Sequence, residues 1–245
     1  MALNSRMFEE LAKRLKPGAR IASMGYPDVI APLDEIEEVI GEKVRSLTFR
    51  HDSQAICKRH GLPFRGIPDA AELFSVMGAT LDVYDIVNER GCEIECDLNY
   101  DSQGYLEIGR GKYDFVLDVG TLEHCFNIGQ AALNMAELVR EGGWIIHENP
   151  FLMPNHGFYS LNPTWYADFY EQNGFEVECI LLGVAGSYIK CPPTQRFKLP
   201  DTAHELTILA VARRVKEQCI VWPMQTKYMK ATPAAGGQPG VKEAA

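Results

Sequence analysis

A doubly wound α/β fold is the class that this sequence predicts, and three observations predict it. Short apolar, β-rich runs recur along the chain, helical patterns with recognisable ends separate them, and a long irregular segment precedes the last run. Near-continuous apolar runs alternating with helices indicate a parallel sheet buried on both faces. A chain of 245 residues buries one substantial core, so one domain over residues 1–224 is expected.

Residues 5–15 form an amphipathic helix before the first strand, RIASMG (20–25). Some forty residues then intervene, including the acidic helical pattern LDEIEEVIGEKV and the segment SLTFRHDSQAICKRHGL. The next helix, IPDAAELFSVMG, has Pro68 and Asp69 near its start and Gly78 as its stop. Three strands follow: ATLDVYDIV (79–87), CEIECDL (92–98) and YDFVLDVG (113–120). In FNIGQAALNMAELVREGG, Ala132, Met135, Ala136 and Val139 share one helix face, and Gly142-Gly143 ends the pattern before the fifth strand, GWIIHEN (143–149). Asn162 is the expected N-cap of PTWYADFYEQNGF, which closes at Gly174. The runs FEVECILL (175–182) and ELTILAVARR (205–214) supply two more strands, and the long Pro-containing return between them suggests an antiparallel end to the sheet.

The insertions at about 29–65 and 183–204 are longer than ordinary connections and are expected to cap the substrate side. Residues 225–245 are rich in Gly, Ala and Pro, lack apolar periodicity, and are expected to be disordered. No internal repeat is evident.

A hydrophobic share of 46% with 23% charged residues is that of a soluble globular chain, and no window reaches membrane-spanning length. The first residues lack the apolar centre of a secretory signal, so a cytoplasmic location and no membrane partner are expected. Seven cysteines without a CxxC pair or a CxxC…HxxxH spacing read as reduced, mostly buried thiols, and no metal is expected. A net charge of −9 argues against nucleic acid and for a small-molecule substrate.

In open α/β sheets ligands bind outside the carboxyl ends of the strands, so the residues after each run are the candidate site. After the first strand, Gly25 permits close backbone approach, Tyr26 adjoins it, and Asp28 is suited to an ammonium or hydroxyl group. At the end of the second, Asp85, with Ile86 beside it, is placed to accept both hydroxyls of a nucleoside ribose. Asp97, Leu98 and Asn99 after the third suit an adenine amino group and ring. DVGTLEH after the fourth presents Asp118, Gly120 and Thr121, then Glu123 and His124 at the start of the next helix.

These features, in this order, resemble the class I S-adenosylmethionine-dependent methyltransferases over roughly residues 5–214. YDFVLDVGTLEHCFN is similar to that family's fourth-strand motif, LVREGGWIIHENP to its helix, Gly-Gly turn and fifth strand, and WYADFYEQNGFEV to the helix before its sixth strand. HGFYSLNP with EHCFN resembles a bacterial and phage-associated subgroup of poorly defined substrate. The resemblance implies a mostly parallel seven-stranded sheet with a reversed last strand, S-adenosyl-L-methionine as cofactor, and methyl transfer as the activity. One departure is the first loop, SMGYPDVIAP, where Gly25 is the lone glycine; the methionyl end is then expected to rest on Asp28 and on main-chain groups around Gly25. A nicotinamide dinucleotide enzyme needs a GxGxxG loop for its pyrophosphate, and no such string occurs.

For an oxygen acceptor, a histidine near neutral pKa is a suitable base. Of six histidines, His156, on the loop ENPFLMPNHGFYS after the fifth strand, is the expected base or substrate orienter, with His124 second. Glu123, Asn155 and Tyr159 are expected on the substrate side, whereas His147, inside a strand, reads as a hydrogen-bonded core residue. The expected acceptor is a small polar metabolite methylated on oxygen, such as a sugar, glycan precursor or secondary metabolite. The alternatives are transfer to nitrogen, or a cofactor-binding pseudoenzyme that binds a protein partner. The sequence carries no indication of oligomeric state.

Overall fold

Apolar residues of even and odd position sort onto opposite faces along each central strand, and this is what winds the chain twice around its sheet. In the computed structural model, which describes residues 2–101, 109–193, 195–196, 198–199 and 205–229, the first central strand is β2 (Arg20–Met24). β4 (Thr80–Asp85), β5 (Glu93–Glu95), β6 (Tyr113–Asp118) and β7 (Val139–Leu152) run parallel with it. In β6, Phe115 and Leu117 point to one apolar layer and Val116 to the other; in β10 (Leu206–Arg214), Leu209 and Val211 oppose Ile208, Ala210 and Ala212. One layer packs under the helices Ser5–Ala12 and Ala70–Val76, and the other under Ile128–Leu138 and Pro163–Gln172.

The sheet order is β5-β4-β2-β6-β7-β10-β8-β9, with β8 spanning Phe175–Val184 and β9 Ser187–Lys190. β10 pairs antiparallel with both β7 and β8, so the last predicted strand is indeed the reversed one and lies between its two predecessors. The expected caps are present: Asp69 accepts from Glu72 N at 3.0 Å, and Asn162 from Thr164 N at 3.1 Å.

The sheet has eight strands rather than seven. Residues 183–190, expected in a cap, extend it as a hairpin in which Leu182 pairs with Ile189 and Val184 with Ser187. Its two-residue turn, Ala185-Gly186, has φ of 48° and 80°, the doubly positive geometry that matches strand twist. A second, two-stranded sheet joins β1 (Ala2–Leu3) to β3 (Asp28–Val29), fastening the chain start over the end of β2.

The first insertion folds as helix Leu33–Ile40, the 3-10 helix Gly41–Ser46 and helix Ser53–Arg59. Of the second, residues 194, 197 and 200–204 lie outside the described residues, as do residues 230–245 of the expected disordered tail. Thr226–Met229 of that tail is one helical turn held by Thr226 N and Oγ1 on Asp168. Of the seven cysteines, Cys57, Cys96, Cys125 and Cys191 are buried, as expected of most of them. Among the described residues no helix is long and apolar enough to cross a membrane.

Candidate active site

A cleft of about 800 Å³ opens at the carboxyl ends of the parallel strands and at the amino end of the reversed β10. Gly25, Asp85, Ile86, Asp97, Leu98, Gly120, Thr121, Glu123, His124 and His156 all line it. Residues in or just after every strand of the main sheet, including Ser187 and Tyr188 of the edge strand β9, thus meet around one space.

At one end the wall carries Asp85, whose carboxylate accepts a single long bond from Val87 N at 3.4 Å and keeps acceptor capacity for a ligand. The neighbouring floor is set by amide bridges. Asn134, buried in helix Ile128–Leu138, donates to the carbonyls of Leu98 and Tyr100, and Asn99 joins the Asp97 carboxylate to the N-cap residue Asn127. Leu98 is thereby held as an apolar surface beside Cys96 and Cys125. Gly25, at φ 80°, turns the chain after β2 while its N–H bonds to Tyr84 O, and Thr121 Oγ1 secures Met24 O at 2.7 Å.

Tyr26, Asp28, Asp118, Asn155 and Tyr159 are not on the cleft wall, and each has another task. Tyr26 turns toward helix Ala70–Val76, where its hydroxyl donates to Asp69 and accepts from Ala71 N; burial and the Asp69 carboxylate push it up to about 12. Asp28 is 3% exposed and is surrounded by Arg50, Arg59 and His60 of the first insertion, at 3.0, 3.1 and 3.0 Å. Burial alone would raise its pKa, but the His60 hydrogen bond and the arginine charges outweigh burial and lower it. A carboxylate so saturated has little left for a ligand ammonium. Asn155 is an exposed left-handed turn residue at φ 64°, and Tyr159 donates to Phe126 O, strapping its loop down.

Asp118 stands behind the wall as the centre of a fully buried network. It accepts from Asn149 Nδ2, from the backbone N–H of Thr121 and Leu122, and contacts His147 Nδ1 at 2.7 Å. His147 Nε2 reaches Tyr170 OH at 2.6 Å, so this core histidine is satisfied at both nitrogens. Burial opposes the Asp118 charge, yet the His147 contact and these hydrogen bonds lower its pKa.

From this scaffold Asn149 extends a second bond to Glu123 Oε2 at 3.0 Å and receives one from Tyr166 OH. Glu123 Oε1 is buried and, among the described residues, has no hydrogen-bond partner. His156 Nε2 is 3.5 Å from it and His124 Nε2 is 3.8 Å away, the two imidazole centroids being 5.4 Å apart. The loop carrying His156 is held against Glu123 by Phe158 N bonding to Glu123 O at 2.9 Å, and Gly157 is needed there, since a Cβ would come within 2.9 Å of Glu123.

Burial first, and then the Asp118 charge, push the Glu123 carboxyl up to about 7. The sign of its stability contribution follows: the unfolded chain releases this proton near its ordinary 4.5, the folded chain near 7, so stability falls as pH rises through that window. Glu123→Gln is therefore expected to remove most of that decline, on the order of 2–3 kcal/mol, from urea midpoints compared at pH 5 and pH 7.5. Glu148, also raised by burial, leaves a residual decline of the same sign, and Asp118 acts only in acid, below the ordinary carboxylate pKa. An unchanged slope in the variant would contradict the assignment.

Sequence reasoning did not single out the far end of the cleft. Glu148 accepts from Tyr188 of the β9 hairpin and Thr207 of β10 through Oε1, and its Oε2 is buried with no hydrogen-bond partner within ordinary distance among the described residues. The only signal was the polar pair Glu148-Asn149 closing an apolar run; its partners arrive from strands forty and fifty-nine positions away.

No protein-family model and no curated protein sequence matches the chain. Among solved structures it is similar to the 1,6-didemethyltoxoflavin-N1-methyltransferase of Burkholderia thailandensis, determined with S-adenosylhomocysteine: 13% identity, 85% of this chain and 76% of that one, TM-score 0.45. It is also similar to a SAM-dependent methyltransferase from Archaeoglobus fulgidus, at 12% identity over 84% of this chain and 92% of that one, TM-score 0.44.

Proposed function

We propose that the protein is an S-adenosylmethionine-dependent methyltransferase acting on a hydroxyl group of a small polar metabolite. The observation that carries this reading is the meeting of Gly25, Asp85, Asp97, Leu98, Gly120 and Glu123 around one cleft of a sheet whose last strand is reversed, without a phosphate cradle. The donor set fits the cofactor in chemistry: a carboxylate with spare acceptor capacity for a ribose diol, an apolar surface for a base, and, among the described residues lining the cleft, no lysine or arginine for phosphates. Asp85 would hold the ribose, Asp97 and Leu98 the adenine, and main-chain groups about Gly25 and Thr121 the methionyl end. When bound, the sulfonium supplies an electrophilic methyl group.

The chain's own work is alignment and proton handling. His156 Nε2 accepts the proton of the acceptor hydroxyl, and Glu123 Oε1, 3.5 Å from that same nitrogen, stabilises the imidazolium charge. Glu148 Oε2, buried and unpartnered at the other end of the cleft, favours acceptors with a hydroxyl or ammonium donor over anionic ones.

Calorimetric titration with S-adenosylmethionine and S-adenosylhomocysteine tests the reading, and absence of binding below the millimolar range would end it. His156→Ala is expected to keep cofactor affinity while transfer of labelled methyl to the acceptor falls about 10²- to 10⁴-fold. Unchanged transfer would remove His156 from the chemistry.

A further inference from the structure

We propose that Glu123, His124 and His156 bind one divalent transition-metal ion at the edge of the cleft. Three observations converge on it. One ligand atom from each residue lies within 4.8 Å of the other two. The Glu123 side chain is 1% exposed, with Oε2 fixed by Asn149 and Oε1, among the described residues, without a hydrogen-bond partner, so a buried oxygen faces the two imidazoles. Ligands about 2.0–2.2 Å from a tetrahedral ion stand roughly 3.3–3.6 Å from one another. The His156 Nε2 distance of 3.5 Å already meets that spacing, and the 3.8 Å of His124 needs only a small rotation of a half-exposed ring.

The surroundings suit the assignment. Asn149 and, through it, Asp118 and Tyr166 orient the carboxylate from behind, as outer partners orient metal ligands generally. Two nitrogens and one carboxylate oxygen select ions such as Zn²⁺, Mn²⁺, Fe²⁺ or Co²⁺ over Mg²⁺ and Ca²⁺, which prefer all-oxygen sets. Both imidazoles are about half exposed, at 51% and 43%, so positions on the cleft side stay open for an oxygen of the acceptor. Metal binding stands independently of methyl transfer; the ion's use in positioning a hydroxyl rests on the proposed function and replaces the base role given there to His156, because one Nε2 cannot both ligate the ion and accept a proton.

The test is titration of the full chain, freed of metal by a chelator, with Zn²⁺ against a chromogenic competitor and with Co²⁺ by its visible absorption. One ion per chain is expected, with affinity weakened at least about tenfold in each of His124→Ala and His156→Ala, and unchanged in His51→Ala, an exposed histidine outside the cluster. Both substituted rings are at the surface, and an unaltered circular dichroism spectrum confirms the fold of each variant. The absence of a one-to-one complex, or equal affinity in the His124→Ala/His156→Ala double variant, overturns the site. Titration with S-adenosylhomocysteine before and after chelation separates the two ideas: retained nucleoside binding with no metal binding rejects the metal site alone.

Discussion

Asp118→Ala is expected to destabilise the protein by about 3–5 kcal/mol, read as a shift of the urea midpoint at unchanged slope. The substitution strands His147 Nδ1 and the backbone N–H groups of Thr121 and Leu122, and removes one of the two bonds of Asn149 Nδ2, all of which now converge on one carboxylate. Each orphaned donor carries its own desolvation penalty, so the effect exceeds that of a lost surface pair. It should also reach the cleft, because the turn that positions Glu123 is anchored by two of those N–H groups. Asp118→Asn keeps the volume and some acceptor capacity and should lose less. A loss below about 1 kcal/mol in the alanine variant would show that the network is not a structural keystone.

Asp85→Asn is expected to act in the opposite way, leaving stability within about 0.5 kcal/mol of the parent while weakening S-adenosylhomocysteine about 30- to 150-fold. The carboxylate contributes one 3.4 Å bond to the fold, so little structure depends on it. Its value lies in presenting charged acceptors to a diol, and the isosteric amide loses that charge and turns half of the group into a donor. Calorimetry decides the matter. Equal affinity in the variant would mean that the nucleoside, if bound, lies elsewhere in the cleft.

The fold was legible because its evidence is local. Apolar runs such as RIASMG and YDFVLDVG, the caps at Asp69 and Asn162, and the stops at Gly78 and Gly174 are each read within a dozen residues, and the structure keeps all of them. The β9 hairpin was not legible: its Ala185-Gly186 turn lacks the Asn-Gly or Asp-Gly signature, and a four-residue strand has little periodicity to detect. At the site, strand ends could be named but not partners. Asp28 reads as a free carboxylate until Arg50, Arg59 and His60 fold back on it from a different segment. Asp118 looks like a wall residue until β7 and helix Pro163–Gln172 bury it. Glu123, His124 and His156 are separable in sequence as an adjacent pair and a loop residue, and only the tight approach at Gly157 makes them one cluster.

The position of β10 bears on how the molecule is made. The last strand among the described residues is not an edge strand but the partner of both β7 and β8, so until residues 206–214 emerge the β8–β9 hairpin has no neighbour to join. A nascent chain therefore carries unpaired edges on β7 and β8 from the emergence of those strands until residues 206–214 follow, and completion of the cleft waits for them.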